Sequence, residues 1–82
     1  MALDKISKLV ICMEECGELV QACSKIIRHG TSDKKHVDNL INEMGDVIAM
    51  CDQVVEAYEL DVMGLQVAIQ KRHKKMCKAD YE

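Results

Sequence analysis

Eighty-two residues, 49% hydrophobic and 30% charged with a net charge of −3, describe one small domain, residues 1–82. The charge balance excludes general nucleic-acid affinity, which needs a basic surface, and no apolar run approaches the roughly 18 residues of a membrane span. Five cysteines without CxxC spacing, and no basic-then-apolar leader, read as the reduced thiols of a cytoplasmic protein.

The chain has no proline, four glycines, and neither Trp nor Phe, which predicts an all-α fold with an aliphatic core. Ile6, Leu9, Met13, Cys16, Val20, Cys23 and Ile27 recur every three or four residues, the pattern of an amphipathic helix from about Asp4 to His29. Asp4 is placed to cap its start and Gly30 to stop it in a left-handed conformation. Cys12, Cys16 and Cys23 read as core filling. Residues 30–35 form the one clear loop, after which Ser32 or Asp33 caps a second helix reaching about Tyr58. Val37, Leu40, Ile41, Met44, Val47, Ile48, Cys51, Val54 and Val55 are expected to face inward from it. Glu59-Leu60-Asp61 breaks the pattern. A third, thinner helix is expected over about 62–78, with Val62, Leu65, Ala68, Ile69 and Met76 on its apolar side. The expected architecture is an antiparallel helical hairpin plus a short third helix. Dimerisation, as a dimer or a dimer of dimers, would complete a helical bundle that one chain is too small to close.

Three acidic pairs stand at i, i+3: Glu15/Glu18, Glu43/Asp46 and Glu56/Glu59. Such spacing puts two side chains on neighbouring turns of one helix face. The first two pairs interrupt semi-apolar lines (Ile11, Glu15, Glu18, Ala22 and Asn39, Glu43, Asp46/Val47, Met50, Val54), whereas the third reads as a solvated surface feature. Antiparallel packing sets the middles of the two helices opposite each other, so four carboxylates would converge on a partly dry site. Protons or a divalent cation would have to relieve that repulsion. All-oxygen ligation suits a hard ion, Mg²⁺ first and Mn²⁺ second. From spacing alone, the alternative of solvated acids paired with Lys or Arg stays open.

Glu14-Glu15-Cys16-Gly17-Glu18 followed by Glu43-Met44-Gly45-Asp46 resembles the EExxE…ExxD signature of the MazG-like all-α nucleoside triphosphate pyrophosphohydrolases. Leu19-Val20-Gln21-Ala22, Lys25 through Arg28-His29-Gly30, and Val47-Ile48-Ala49 fit the flanks, so the resemblance covers roughly residues 9–76. It lies nearest the short single-domain members, phage ones included, for which the compartment would be the host cytoplasm. The resemblance implies a Mg²⁺-dependent enzyme that cleaves a nucleoside triphosphate between its α and β phosphates, releasing the monophosphate and pyrophosphate. It implies Glu15, Glu18, Glu43 and Asp46 as metal ligands. Glu14 and Glu15 become the catalytic pair, with Glu14 an auxiliary ligand or the group that orients the attacking water.

Lys25, two turns beyond Glu18, and Arg28 are candidates for the outer phosphates, or they complement the helix dipole. Lys71, Lys75 and Lys78 share one face and are candidates for the same task, or they form a solvated helix end. Asn39, one turn before Glu43, could bond sugar or base, or support a ligand. His29 and His36 read as surface residues. With no Trp or Phe to stack on a base, Tyr58, Tyr81, a methionine or a histidine would have to serve, from this subunit or another. Two further functions fit less closely: a non-catalytic nucleotide-sensing interaction module, and a cousin that cleaves phosphoribosyl-ATP. The Glu-x-x-His motif of di-iron bundles is absent.

Overall fold

The computed structural model describes residues 3–77. Three helices follow in order: α1 (Lys5–His29), α2 (Lys34–Ala57) and α3 (Val62–Met76). There is no strand among the described residues, so the all-α expectation holds. Lys78 and Tyr81 lie outside the described residues.

Local chemistry sets the helix ends. Asp4 accepts a 2.7 Å bond from the Ser7 amide, which satisfies one of the amides that α1 leaves unpaired and holds the Asp4 carboxyl below its ordinary value. Asp33, not Ser32, caps α2 by accepting from the Lys35 amide at 3.0 Å. Gly30 stops α1 as expected and returns a 2.7 Å bond to the Ile26 carbonyl. Its backbone, at φ 74° and ψ −164°, is not left-handed helical but lies in a region essentially confined to glycine. At the end of α2, the Leu60 amide reaches the Val55 carbonyl and the Glu59 amide reaches that of Glu56. This is a Schellman closure, with Glu59 at φ 50° in the position glycine usually takes. Asp61 precedes α3 but its side chain makes no cap bond.

α1 and α2 pack antiparallel, and the face they share differs from the one the apolar periodicity suggests. The seam holds Ile11, Cys12, Glu15, Leu19, Ala22 and Ile26 of α1, all half-buried except the fully buried Ala22. From α2 come Val37, Leu40, Glu43, Val47, Met50, Val54 and Val55, also half-buried. The α1 stripe expected to form the core lies outside: Ile6, Met13, Val20 and Ile27 are 71%, 73%, 68% and 84% exposed. Leu9, Cys16 and Cys23 are exposed with them, so the core-filling role holds only in part, for half-buried Cys12. On α2, Ile41, Met44, Ile48 and Cys51 are exposed as well. The expectation failed because the acid-bearing face occupies the seam, and the stronger apolar stripe is turned some 100–150° away at 100° per residue.

Every described residue of α3 is exposed, including its own apolar side. The result is a plate, 39 × 36 × 15 Å, with a radius of gyration of 15.4 Å where a compact chain of this length would have about 12 Å. Its accessible surface is 6687 Å², against about 5,000 Å² for a typical monomer of this mass. Lys5 lies over the Tyr58 ring at 5.6 Å and closes the end of the hairpin away from the loop. No helix among the described residues is long and apolar enough to cross a membrane.

Candidate active site

The seam brings together the acids that the sequence pairs two by two. One carboxylate oxygen each from Glu15, Glu43 and Asp46 lies within 4.8 Å of the others, close enough to share a single ion. Ala22, one turn beyond Glu18 and 1% exposed, carries only a methyl group and so lets the helix backbones approach beside the acids. Glu18 is exposed at the rim, near enough to bear on both Glu15 and Glu43. Glu14 is exposed one turn before Glu18 and outside the three-acid group. Glu56 and Glu59 are exposed.

Electrostatics mark this cluster as unrelieved. Glu15 Oε2 and Glu43 Oε2 are buried and no donor reaches either. Glu18 can share a proton with Glu43 only while one of the two is protonated; ionised, it has no hydrogen to give. Desolvation raises the Glu15 pKa above its ordinary value, and the charges of Glu18, Asp46 and Glu43 add to the shift. Desolvation also raises Glu43, followed by Glu18 and Asp46, while the Lys25 ammonium pulls the other way. Buried oxygens without donors, in a group of like charges, are what a divalent cation would satisfy: the residues present fit one, and their all-oxygen character fits a hard one.

The other candidate residues divide. Lys25 and Asn39 meet at the loop end of the hairpin, where they line a concavity with Lys35 and His36. Arg28 does not join them; its Nε donates at 3.5 Å to the Ser24 carbonyl in its own helix. Lys71 and Lys75 are exposed on α3. Tyr58 is twelve residues beyond Asp46, about 18 Å along α2, at the end of the hairpin away from the loop. Lys35 had no role assigned from the sequence, and His36, expected at the surface, is half-buried in this concavity. The available signal was a mirrored spacing: Lys25 follows Glu18 by seven residues and His36 precedes Glu43 by seven.

Two antiparallel helices of an all-α chain, with paired carboxylates across their seam, form a site able to hold a metal ion. The family model for the MazG nucleotide pyrophosphohydrolase domain matches residues 4–80, and the chain belongs to that family. Comparison with curated proteins and with solved structures returned no match.

A stability test follows from the raised acids. A carboxyl whose folded pKa exceeds its unfolded value stabilises the fold below the ordinary value of 4.5, and that contribution is lost as pH rises through the raised value. Without metal, Glu43→Gln should therefore melt a few degrees above wild type near neutral pH and show no advantage in acid. Magnesium should raise the melting temperature of wild type near neutral pH and leave Glu43→Gln nearly unmoved. Equal melting curves for the two chains at both pH values would contradict the reading.

Proposed function

We propose that the chain is a Mg²⁺-dependent nucleoside triphosphate pyrophosphohydrolase, with Mn²⁺ the second candidate ion, cleaving between the α and β phosphates. The observation that carries this is the group of Glu15, Glu43 and Asp46, two of whose oxygens are buried without donors, in a chain of the MazG family. Glu15, Glu43 and Asp46 would hold the ion from both sides of the seam, with Glu18 closing the rim. Bound there, a divalent cation supplies charge neutralisation, polarisation of phosphate oxygens and acidification of water. The chain's own residues position. α1 and α2 fix the carboxylates on rigid elements, and the half-buried seam limits competing water. Glu14, exposed beside the cluster, is free to accept a proton from the attacking water and orient it. A triphosphate carries several negative charges, so an unscreened acid cluster would repel it; the cations at the hairpin's loop end favour its approach. The five free thiols are in keeping with a reducing cytoplasm.

The same proposal includes self-association. The chain shows about 1,700 Å² more surface than a typical monomer of its mass, about twice the roughly 800 Å² that each partner contributes to a standard interface. Ile6, Met13, Val20 and Ile27, with Ile41, Met44 and Ile48, offer the apolar area for it, and a second copy of the chain would complete the bundle. α3, of 15 residues and wholly exposed, is too short to persist alone and would be covered in the same assembly.

Two experiments test these statements. With Mg²⁺, purified protein should release pyrophosphate from at least one NTP or dNTP, and Glu15→Gln or Asp46→Asn should lower the rate by more than about 100-fold, beyond what the loss of an outer-shell partner costs. Orthophosphate as the sole inorganic product would contradict the cleavage position. Separately, equilibrium sedimentation should give a dimer or tetramer at micromolar concentration, and Met13→Glu with Val20→Glu should shift it toward monomer and lower its melting temperature. A wild-type monomer across that range would overturn the self-association.

A further inference from the structure

Next to the acids lies a second cluster, of opposite character. Lys25 of α1 and Lys35, His36 and Asn39 of α2 line a concave site of about 360 Å³ at the loop end of the hairpin. Helix register ties it to the acids. Lys25 lies seven residues past Glu18 and His36 seven before Glu43; because the helices are antiparallel, both offsets run toward the loop, about 10.5 Å each. That displacement is similar in scale to an extended triphosphate tail. Asn39 stands between the clusters, one turn from Glu43.

The lining offers mainly donors: two ammonium groups, a ring N–H and an amide. Lys34 is engaged by Asp38 at 2.9 Å, but Lys35 has only a loose, exposed approach to Asp33 Oδ2 at 3.9 Å, so little holds its ammonium back from an anion. His36 is oriented by His29, whose ring lies nearly parallel at 4.8 Å between centroids. One face of His36 is therefore taken, and no aliphatic or larger aromatic side chain joins the lining. A nucleobase finds little to stack on here. A multiply charged anion finds charge-assisted partners from both helices.

We infer that this pocket binds the terminal diphosphate of the substrate, the part that departs as pyrophosphate, with Lys25 and Lys35 on its oxygens and His36 and Asn39 as further donors. The inference rests on the triphosphate-cleaving reading above and extends it. Selectivity would then fall on the length of the phosphate chain, a nucleoside diphosphate losing the outer contact, while the base is read weakly. Inorganic pyrophosphate would bind without any nucleoside attached.

The test is a titration of the full chain with inorganic pyrophosphate, following the histidine ring signals by NMR in the absence of metal. His36 and His29 should shift and saturate, with orthophosphate at matched ionic strength binding at least about tenfold more weakly. Lys35→Ala should weaken pyrophosphate about tenfold and raise KM for a triphosphate more than it lowers kcat. Glu43→Gln, whose acids repel an anion less, should bind pyrophosphate as tightly as wild type or more so. No response of His36 to pyrophosphate in either chain, or a response to a free nucleoside instead, would overturn the inference even if the enzyme turns over. Pyrophosphate binding without turnover of any triphosphate would leave the pocket standing and sink the proposed activity.

Discussion

Two helices meet here with carboxylates turned toward each other, and the rest of the molecule answers to that repulsion. Glu15 and Glu43 each bury an oxygen that no donor reaches, and Glu18 and Asp46 add like charge at the edge. A seam of half-buried aliphatic side chains interrupted by acids, with Ala22 its one fully buried residue, is a poor source of hydrophobic stabilisation. Only Ala22 is fully buried among the described residues, while most of the large aliphatic side chains face outward. Burial of apolar area is the main force that offsets chain entropy, so a hairpin arranged in this way depends on what it binds. In the account proposed here, a cation in the seam and a second chain on the outer faces meet these two needs.

This division explains which features could be read from the residues in order. Helix ends depend on neighbours a few positions away: Asp4 and Asp33 cap as their placement suggests, and Gly30 ends α1 because only glycine adopts the backbone found there. The acid pairing was legible too, since i, i+3 spacing fixes two side chains on one face whatever lies opposite. The side of α1 that meets α2 was not. Periodicity reports that an apolar stripe exists, not which neighbour covers it, and Met13, Val20 and Ile27 make a stronger stripe than the face that packs within the chain. Arg28, grouped with Lys25 by proximity in sequence, turns back onto its own helix. Lys35 and His36 become neighbours of Lys25 only after the chain reverses at Gly30, a relation that no local pattern encodes.

The hairpin thus carries two adjoining clusters of opposite sign along one seam: oxygen donors near the middle, cations and hydrogen-bond donors near the loop. Lys25 links them, acting on Glu43 while lining the loop-end pocket. Under the proposed activity, this ordering would set a direction along the groove for a polyphosphate substrate, its charge met at one end by a metal ion and at the other by lysine. α3, with its exposed Lys71 and Lys75, contributes to neither cluster within its own chain as far as the described contacts extend.

The most direct test of the central claim is crystallographic. Crystals grown with manganese and imaged by anomalous scattering should place a peak in the seam, about 2.0–2.3 Å from carboxylate oxygens of Glu15, Glu43 and Asp46. A seam without a peak, in which these three side chains instead turn to solvent or pair with lysine or arginine, would contradict the account.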